Sequence, residues 1–353
     1  MKSKSQATSI SKNNYKKIKR FKKKKKKFSK LTDLVPINLD EEKRKFFEQD
    51  CNYNPQFIYN SENIKFKIPN PDSKYLSLAM KIINNVINRY GSDSGFFKSF
   101  GKRVTIDEFK QGFADYVNEQ DLAEITKLKF TTTNLSNARF SYSKKSGSCT
   151  IVIGVPLYVR KDGIKDLLNH EIGTHFLRKL NEKYQPLFKK KRKLRLNDPL
   201  EFEEGLACLN SKYESALHSK APPYLFSTAL RYVFGYYAST LSFADLFKFI
   251  AKYIVDPGKC WKECLRVKRG VKDTSIPGGM YKDQVYFKGA VEILMKRKEI
   301  DFELLYGAKI NFKDYKRLKD HIFRSRIKLP YFLKDIEKYH QALDRIAKVN
   351  FIN

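Results

Sequence analysis

The chain has 353 residues, 41% of them apolar, and a formal charge of +33 from 71 Lys and Arg against 38 Asp and Glu. That length and apolar content support a large buried core with a tail rather than a wholly disordered chain. The charge favours polyanionic partners, whether nucleic acid, an anionic membrane surface or an acidic polypeptide. Five scattered cysteines do not make the framework of a small secreted domain, so a reducing, cytoplasmic compartment is expected.

In chain order, residues 1–35 are expected to form a disordered basic tail, because residues 1–30 hold fourteen Lys or Arg and no acid. Such a run reads as an electrostatic arm, a nuclear import signal or a solvated tail. Residues 36–353 read as one domain, with a helical part at 36–135 and a second part at 136–353. In the first, Leu76, Ala79, Ile82, Ile83, Val86 and Ile87 recur three and four apart, which predicts an amphipathic helix ending at Gly91. Between Asn137 and Val159 the period falls to two, in ARFSYS and CTIVIGVPLYV around a Lys145–Gly147 turn, which predicts an antiparallel hairpin. The remainder reads as mainly helical, including Tyr224–Val255 and a charged stretch from Asp314 to Ala347. Arg231, Asp245, Lys248 and Lys252 interrupt the former, so neither a membrane span nor a signal peptide is expected.

The chemistry concentrates in GIKDLLNHEIGTHFLRKLNE, residues 163–182, where His170, Glu171 and His175 lie within a helical pattern. Two His four residues apart stand about 40° apart round a helix and reach one metal, whereas the spacing of five found here gives about 140°. A π-type bulge or local unwinding, eased by Gly173 between them, would absorb the extra residue. Catalytic zinc takes three protein ligands and leaves one open position. EEGLACLN supplies Glu204 as the third, with Glu203 the other candidate. With zinc bound, Glu171 is the expected proton acceptor from water and donor to the leaving amine. Tyr286 and Lys282, in the Gly-rich segment 269–289, are candidates to stabilise the oxyanion. Arg178 and Arg269 are candidates to bind a terminal carboxylate, Arg178 equally a structural ion pair. Cys260 and Cys264 read as core, Trp261 as core or interface, and His218, His321 and His340 have no ligand spacing to the motif.

HEIGTHFLR, EEGLA, LRYVFGYYASTLSFADLF, RGVKDTSIPGGMYKDQVYFKG and the earlier NPQFIY at 54–59 together resemble the microtubule-associated tyrosine carboxypeptidases and their bacterial relatives with a QEGLA motif. The resemblance spans Asn54 to Gly289. It implies a zincin-like α+β fold, predominantly helical, with a small antiparallel sheet beside the metal-binding helix. It further implies one zinc ion on His170, His175 and Glu204, Glu171 as the base, and removal of the C-terminal tyrosine of α-tubulin on microtubules. Glu203 stands where the bacterial pattern has Gln. Six Lys or Arg in LFKKKRKLRLND, residues 187–198, are expected to form a basic rim suited to an acidic tail, although nucleic acid would suit it too. The alternatives are a peptidase of this fold with another acidic substrate, or a silent basic module that binds microtubules or nucleic acid by charge.

Overall fold

A computed structural model describes residues 31–60, 70–132, 138–218 and 221–353. Most of the expected tail, residues 1–30, lies outside the described residues. Residues Leu31–Leu34 form a 3-10 turn with Leu34 buried, so structured chain begins before the expected limit at 35.

The first helix, α1 (Leu39–Glu48), sends Phe46 into a cage of Phe243, Phe247 and Trp261. Helix α2 (Leu76–Tyr90) follows the apolar spacing, burying Ala79, Ile82, Ile83 and Val86, and stops where Gly91 takes a left-handed φ of 74°. After the short α3 (Asp93–Lys98) comes α4 (Ile106–Glu119), started by a reciprocal cap between Thr105 and Glu108. It delivers Phe109, Phe113 and Tyr116 to the core.

The sheet has three strands, β1 (Thr126–Thr131), β2 (Ala138–Tyr142) and β3 (Cys149–Gly154), in the order β1-β3-β2. The expected antiparallel hairpin is β2–β3, with Phe140 opposite Ile151. Strand β1 adds to it in parallel, placing Leu128 on the other side of Ile151, so the sheet is mixed. The central strand buries Cys149, Ile151 and Ile153, while Lys127, Lys129 and Arg139 are exposed.

Helix α5 (Ile164–Leu168) runs into a π-helical segment, Asn169–Phe176, and on into α6 (Leu177–Tyr184) as one rod beside β2. There follow α7 (Leu200–Asn210), α8 (Tyr213–Leu217), α9 (Phe226–Tyr237), α10 (Phe243–Ala251) and α11 (Pro257–Val267). Cys260, Trp261 and Cys264 on α11 are buried, as expected for core residues. Helix α12 (Gln284–Met295) packs on α7 so closely that a β-carbon on Gly205 would lie 2.2 Å from the Gly289 carbonyl carbon.

The charged C-terminal stretch is not one helix. It divides into α14 (Phe312–Leu318), after the short α13 (Phe302–Leu305), and α15 (Ile336–Val349), because Pro330 and three 3-10 turns intervene. No helix among the described residues is long and apolar enough to cross a membrane.

Two distant motifs form one unit. Phe57 N–H donates to the Lys272 carbonyl at 2.8 Å, Thr274 donates to the Pro55 carbonyl at 2.8 Å, and Gly270 N–H donates to the Tyr59 hydroxyl at 3.0 Å. The NPQFIY segment is thus the backbone partner of the Gly-rich segment. The latter is anchored also by the buried Lys268, whose ammonium donates to the carbonyls of Leu241 and Ile276 at 2.5 and 3.2 Å.

Candidate metal centre

The spacing of five is resolved by the local backbone. Residues 169–176 form the π-helix, in which residues five apart come onto one side of the rod. The two rings consequently meet, with His170 and His175 centroids 4.9 Å apart at 87°. Gly173 permits this, since a β-carbon there would come within 2.7 Å of the Tyr116 hydroxyl and 2.8 Å of Phe332.

Side chains brought in from outside replace the bonding that a regular helix would have supplied. Asn169, immediately before His170, accepts from the Tyr116 hydroxyl at 2.9 Å and donates to the Tyr331 hydroxyl at 3.1 Å. Thr174, immediately before His175, donates to the Asn169 carbonyl at 2.8 Å and accepts from the Asn210 amide at 2.8 Å. Asn210 is held in turn by Tyr306 and Tyr339. Sequence reading missed this network, although the pairs Asn-His and Thr-His in NHEIGTH put a short polar residue before each imidazole.

His170, His175 and Glu204 come together with donor atoms within 4.8 Å of one another, a set able to coordinate one metal ion. Glu204 Oε2 lies 3.7 Å from His170 Nε2 and 3.4 Å from His175 Nε2. Burial opposes the Glu204 charge, yet the two imidazoles hold its carboxyl well below the usual carboxylate range. Burial also opposes a charged His175, but Glu203 and Glu204 overcome it and raise that ring to about 9.

Glu203, the other candidate ligand, faces the opposite side of the ring, with its Oε1 2.8 Å from His175 Nδ1. Burial opposes its charge too, and Arg178, Lys309 and His175 together hold its carboxyl at about 2.

Glu171 lies between the two imidazoles in sequence, is 8% exposed, and makes no hydrogen bond or ion pair among the described residues. The Tyr286 ring stacks on His170 at 6.5 Å and 21°, and burial, with the Glu204 charge next, keeps its hydroxyl protonated. Arg178 is corrected as a carboxylate-binding candidate, being fully buried. Its guanidinium is spent on Glu203 and on the Ala308 carbonyl at 2.6 Å. Arg269 is half-buried beside Arg266 and the acids Asp283 and Glu263, and no hydrogen bond or ion pair occupies it among the described residues. Lys282 sits on the 3-10 turn Tyr281–Asp283, with no hydrogen bond or ion pair to the cluster. Pro186–Leu194 of the basic segment is a 3-10 helix, and the segment is tied to α14 through Asn197 on Asp314 and Arg317 on the Leu194 carbonyl.

A family model described as "Microtubule-associated tyrosine carboxypeptidase" matches residues 98–353. The mouse protein named "Putative tyrosine carboxypeptidase MATCAP2" is 36% identical over 332 residues, which cover 91% of this chain and 62% of that relative. The mouse and human proteins named "Microtubule-associated tyrosine carboxypeptidase 1" are each 32% identical over 327 residues, 91% of this chain and 68% of each relative. The chain thus spans somewhat under two thirds of the first of these relatives. Since the match takes in the HEIGTH and EEGLA segments that build the cluster, and most of the chain around them, the protein belongs to the family of microtubule-associated tyrosine carboxypeptidases.

Proposed function

We propose that the chain is a zinc carboxypeptidase that removes the C-terminal tyrosine from α-tubulin on microtubules, with residues 36–353 acting as one catalytic unit. The observation that carries the reading is the spacing of the donors. Zinc held tetrahedrally at its usual bond lengths needs ligand atoms roughly 3.3 Å apart, and Glu204 Oε2 stands 3.4 and 3.7 Å from the two Nε2 atoms. Two imidazoles and one carboxylate are a borderline-soft set that suits zinc. A zinc ion there would supply a Lewis acid that polarises the scissile carbonyl and acidifies water.

The chain's own residues do the rest. Glu171, whose carboxylate is free, takes the proton from the attacking water and delivers it to the departing amine. Tyr286, protonated and stacked on His170, donates to the developing oxyanion, and Lys282 adds a cation from the same segment. Arg269, unpaired among the described residues, takes the terminal carboxylate as a bidentate partner. The pairing of residues 55–59 with 270–274 supports placing the part 36–135 and the part that follows it in one catalytic body. The charge of +33 favours the Glu-rich tail of a cytoplasmic microtubule over a neutral peptide.

The test is mass spectrometry of an α-tubulin tail, on microtubules and as free peptide, after incubation with the zinc-loaded protein or its Glu171→Gln variant. Loss of one terminal tyrosine is expected with the wild type alone, since glutamine keeps the shape and removes the base. A zinc-loaded wild type that shortens neither form overturns the tubulin assignment and directs the search to other acidic C-termini.

A further inference from the structure

We propose that Glu203 is the positioning residue of the metal centre. Arg178 and Lys309 hold it in place, so that the His175 ring presents Nε2 to the ion. The inference rests on the metal reading above and extends it to residues that do not themselves coordinate.

The two acids of EEGLA straddle a single imidazole. Glu203 Oε1 takes the Nδ1 side at 2.8 Å and Glu204 Oε2 faces the Nε2 side at 3.4 Å. One turn of α7 therefore grips both nitrogens of His175. With a carboxylate on Nδ1, that nitrogen carries the proton and donates it, which leaves the Nε2 lone pair directed at the cluster. The ring face is fixed as well, because Phe140 of β2 stacks on it at 5.8 Å and 20°, and Lys309 lies over Phe140 at 5.2 Å. His170 has no such Nδ1 partner among the described residues; its observed neighbours are His175, Glu204 and the Tyr286 ring.

Glu203 is 4% exposed, and two cations are committed to it. Lys309 Nζ shares Oε1 at 2.7 Å, and Arg178 takes Oε2. Arg178 is fixed from behind by the Ala308 carbonyl, so the segment 305–310 supplies Lys309 and also the anchor for Arg178. Burying the Glu203–Arg178 pair, with Lys309 partly exposed beside it, is costly, and apolar residues of the same volume often give equal or greater stability. An orienting function accounts for the arrangement: a neutral acceptor could bond Nδ1–H, but it would leave Arg178 and Lys309 without a counter-charge.

The experiment uses the full chain and reads zinc affinity by competition with a chromophoric chelator, together with the visible spectrum of the cobalt-substituted protein. Wild type, Glu203→Gln, Glu203→Ala and the double variant Glu203→Leu/Arg178→Leu are compared, with thermal unfolding as the check on folding. Glu203→Ala is expected to weaken zinc binding by about 10- to 100-fold and to alter the cobalt spectrum, with Glu203→Gln recovering part of the loss, because its carbonyl oxygen still accepts from Nδ1 while Arg178 and Lys309 lose their counter-charge. If Glu203→Ala does not fold, the double variant decides, since it removes the buried pair together and should fold yet bind zinc as weakly. A folded Glu203→Ala or double variant with wild-type affinity and an unchanged cobalt spectrum overturns the proposal and reduces Glu203 to a structural ion pair. Wild type that binds no zinc removes this inference together with the metal reading. Wild type that binds zinc but leaves tubulin tails intact removes only the substrate assignment.

Discussion

Replacing Gly205 with Ala tests whether the glycine of EEGLA sets the distance between ligand helix and imidazoles. The new β-carbon would lie 2.2, 2.5 and 2.6 Å from Gly289 C, Ala290 N and Gly289 Cα. Carbon atoms rest at about 3.5–4.0 Å, so α7 and α12 must part by roughly 1 Å. All three neighbours are buried backbone, and no side chain can swing away. Overpacking of this kind costs about 1–3 kcal/mol, and the upper end is expected here. Glu204 is the adjacent residue and moves with α7. Metal–ligand distances tolerate about 0.2 Å, so a displacement near 1 Å should weaken zinc binding at least about tenfold. The assays are thermal unfolding in chelator, which isolates the packing cost, and zinc competition in the folded range. Gly289→Ala serves as the control from the opposite helix, since its β-carbon would fall 1.9 Å from the Glu201 carbonyl oxygen. A folded Gly205→Ala protein with Tm unchanged within a degree and zinc affinity within about twofold of wild type would refute the reasoning.

Gly173→Ala should act on metal binding more than on stability. Its methyl meets the ends of the Tyr116 and Phe332 side chains, and alanine favours the regular helix in which the two His diverge, so loss of one bound zinc per chain with a near-native circular dichroism spectrum is expected. Asp166→Asn should stabilise the protein in a pH-dependent way. Burial raises the Asp166 carboxyl to about 6 despite Lys212 at 3.5 Å. With the folded value above the unfolded one, the favourable contribution is complete below pH of about 4 and is lost as pH rises through about 6. The variant's gain should therefore be greatest, at most about 3 kcal/mol, at pH 8 and absent near pH 4 in chemical denaturation. A variant less stable than wild type at pH 8 contradicts this.

What the sequence made legible follows the range of the interactions involved. Helix α2 was readable because Ala79, Ile82, Ile83 and Val86 mark one face by themselves. The π-helix was readable because His170 and His175 cannot share an ion from a regular helix, and Gly173 between them offered the place to depart from it. Strand β1 carries the alternation Lys127, Leu128, Lys129, Phe130, but alternation does not say which strand pairs with it, and its partner β3 lies beyond β2 in sequence. The break between α14 and α15 falls in a stretch that holds Pro330, but charged, helix-prone residues flank it on both sides, so the pattern alone does not mark where one helix ends and the next begins.

Arg178 marks the limit for single residues. One helical turn past His175, an arginine reads equally as a substrate contact or a structural pair, and the choice depends on Glu203, 25 residues away, and on carbonyls near Ala308, 130 residues away. Lys309 carried no motif at all, because its role exists only where the 305–310 segment, β2 and α7 converge. Motif reading thus finds the atoms that touch a metal, whose spacing along one helix is constrained by coordination geometry. It is blind to the residues that aim those atoms, whose only constraint is that they arrive, from any distance along the chain, with the right charge. Under the positioning proposed above, those residues decide how firmly the centre is held, and for His175 that burden falls on Glu203 and its two cations.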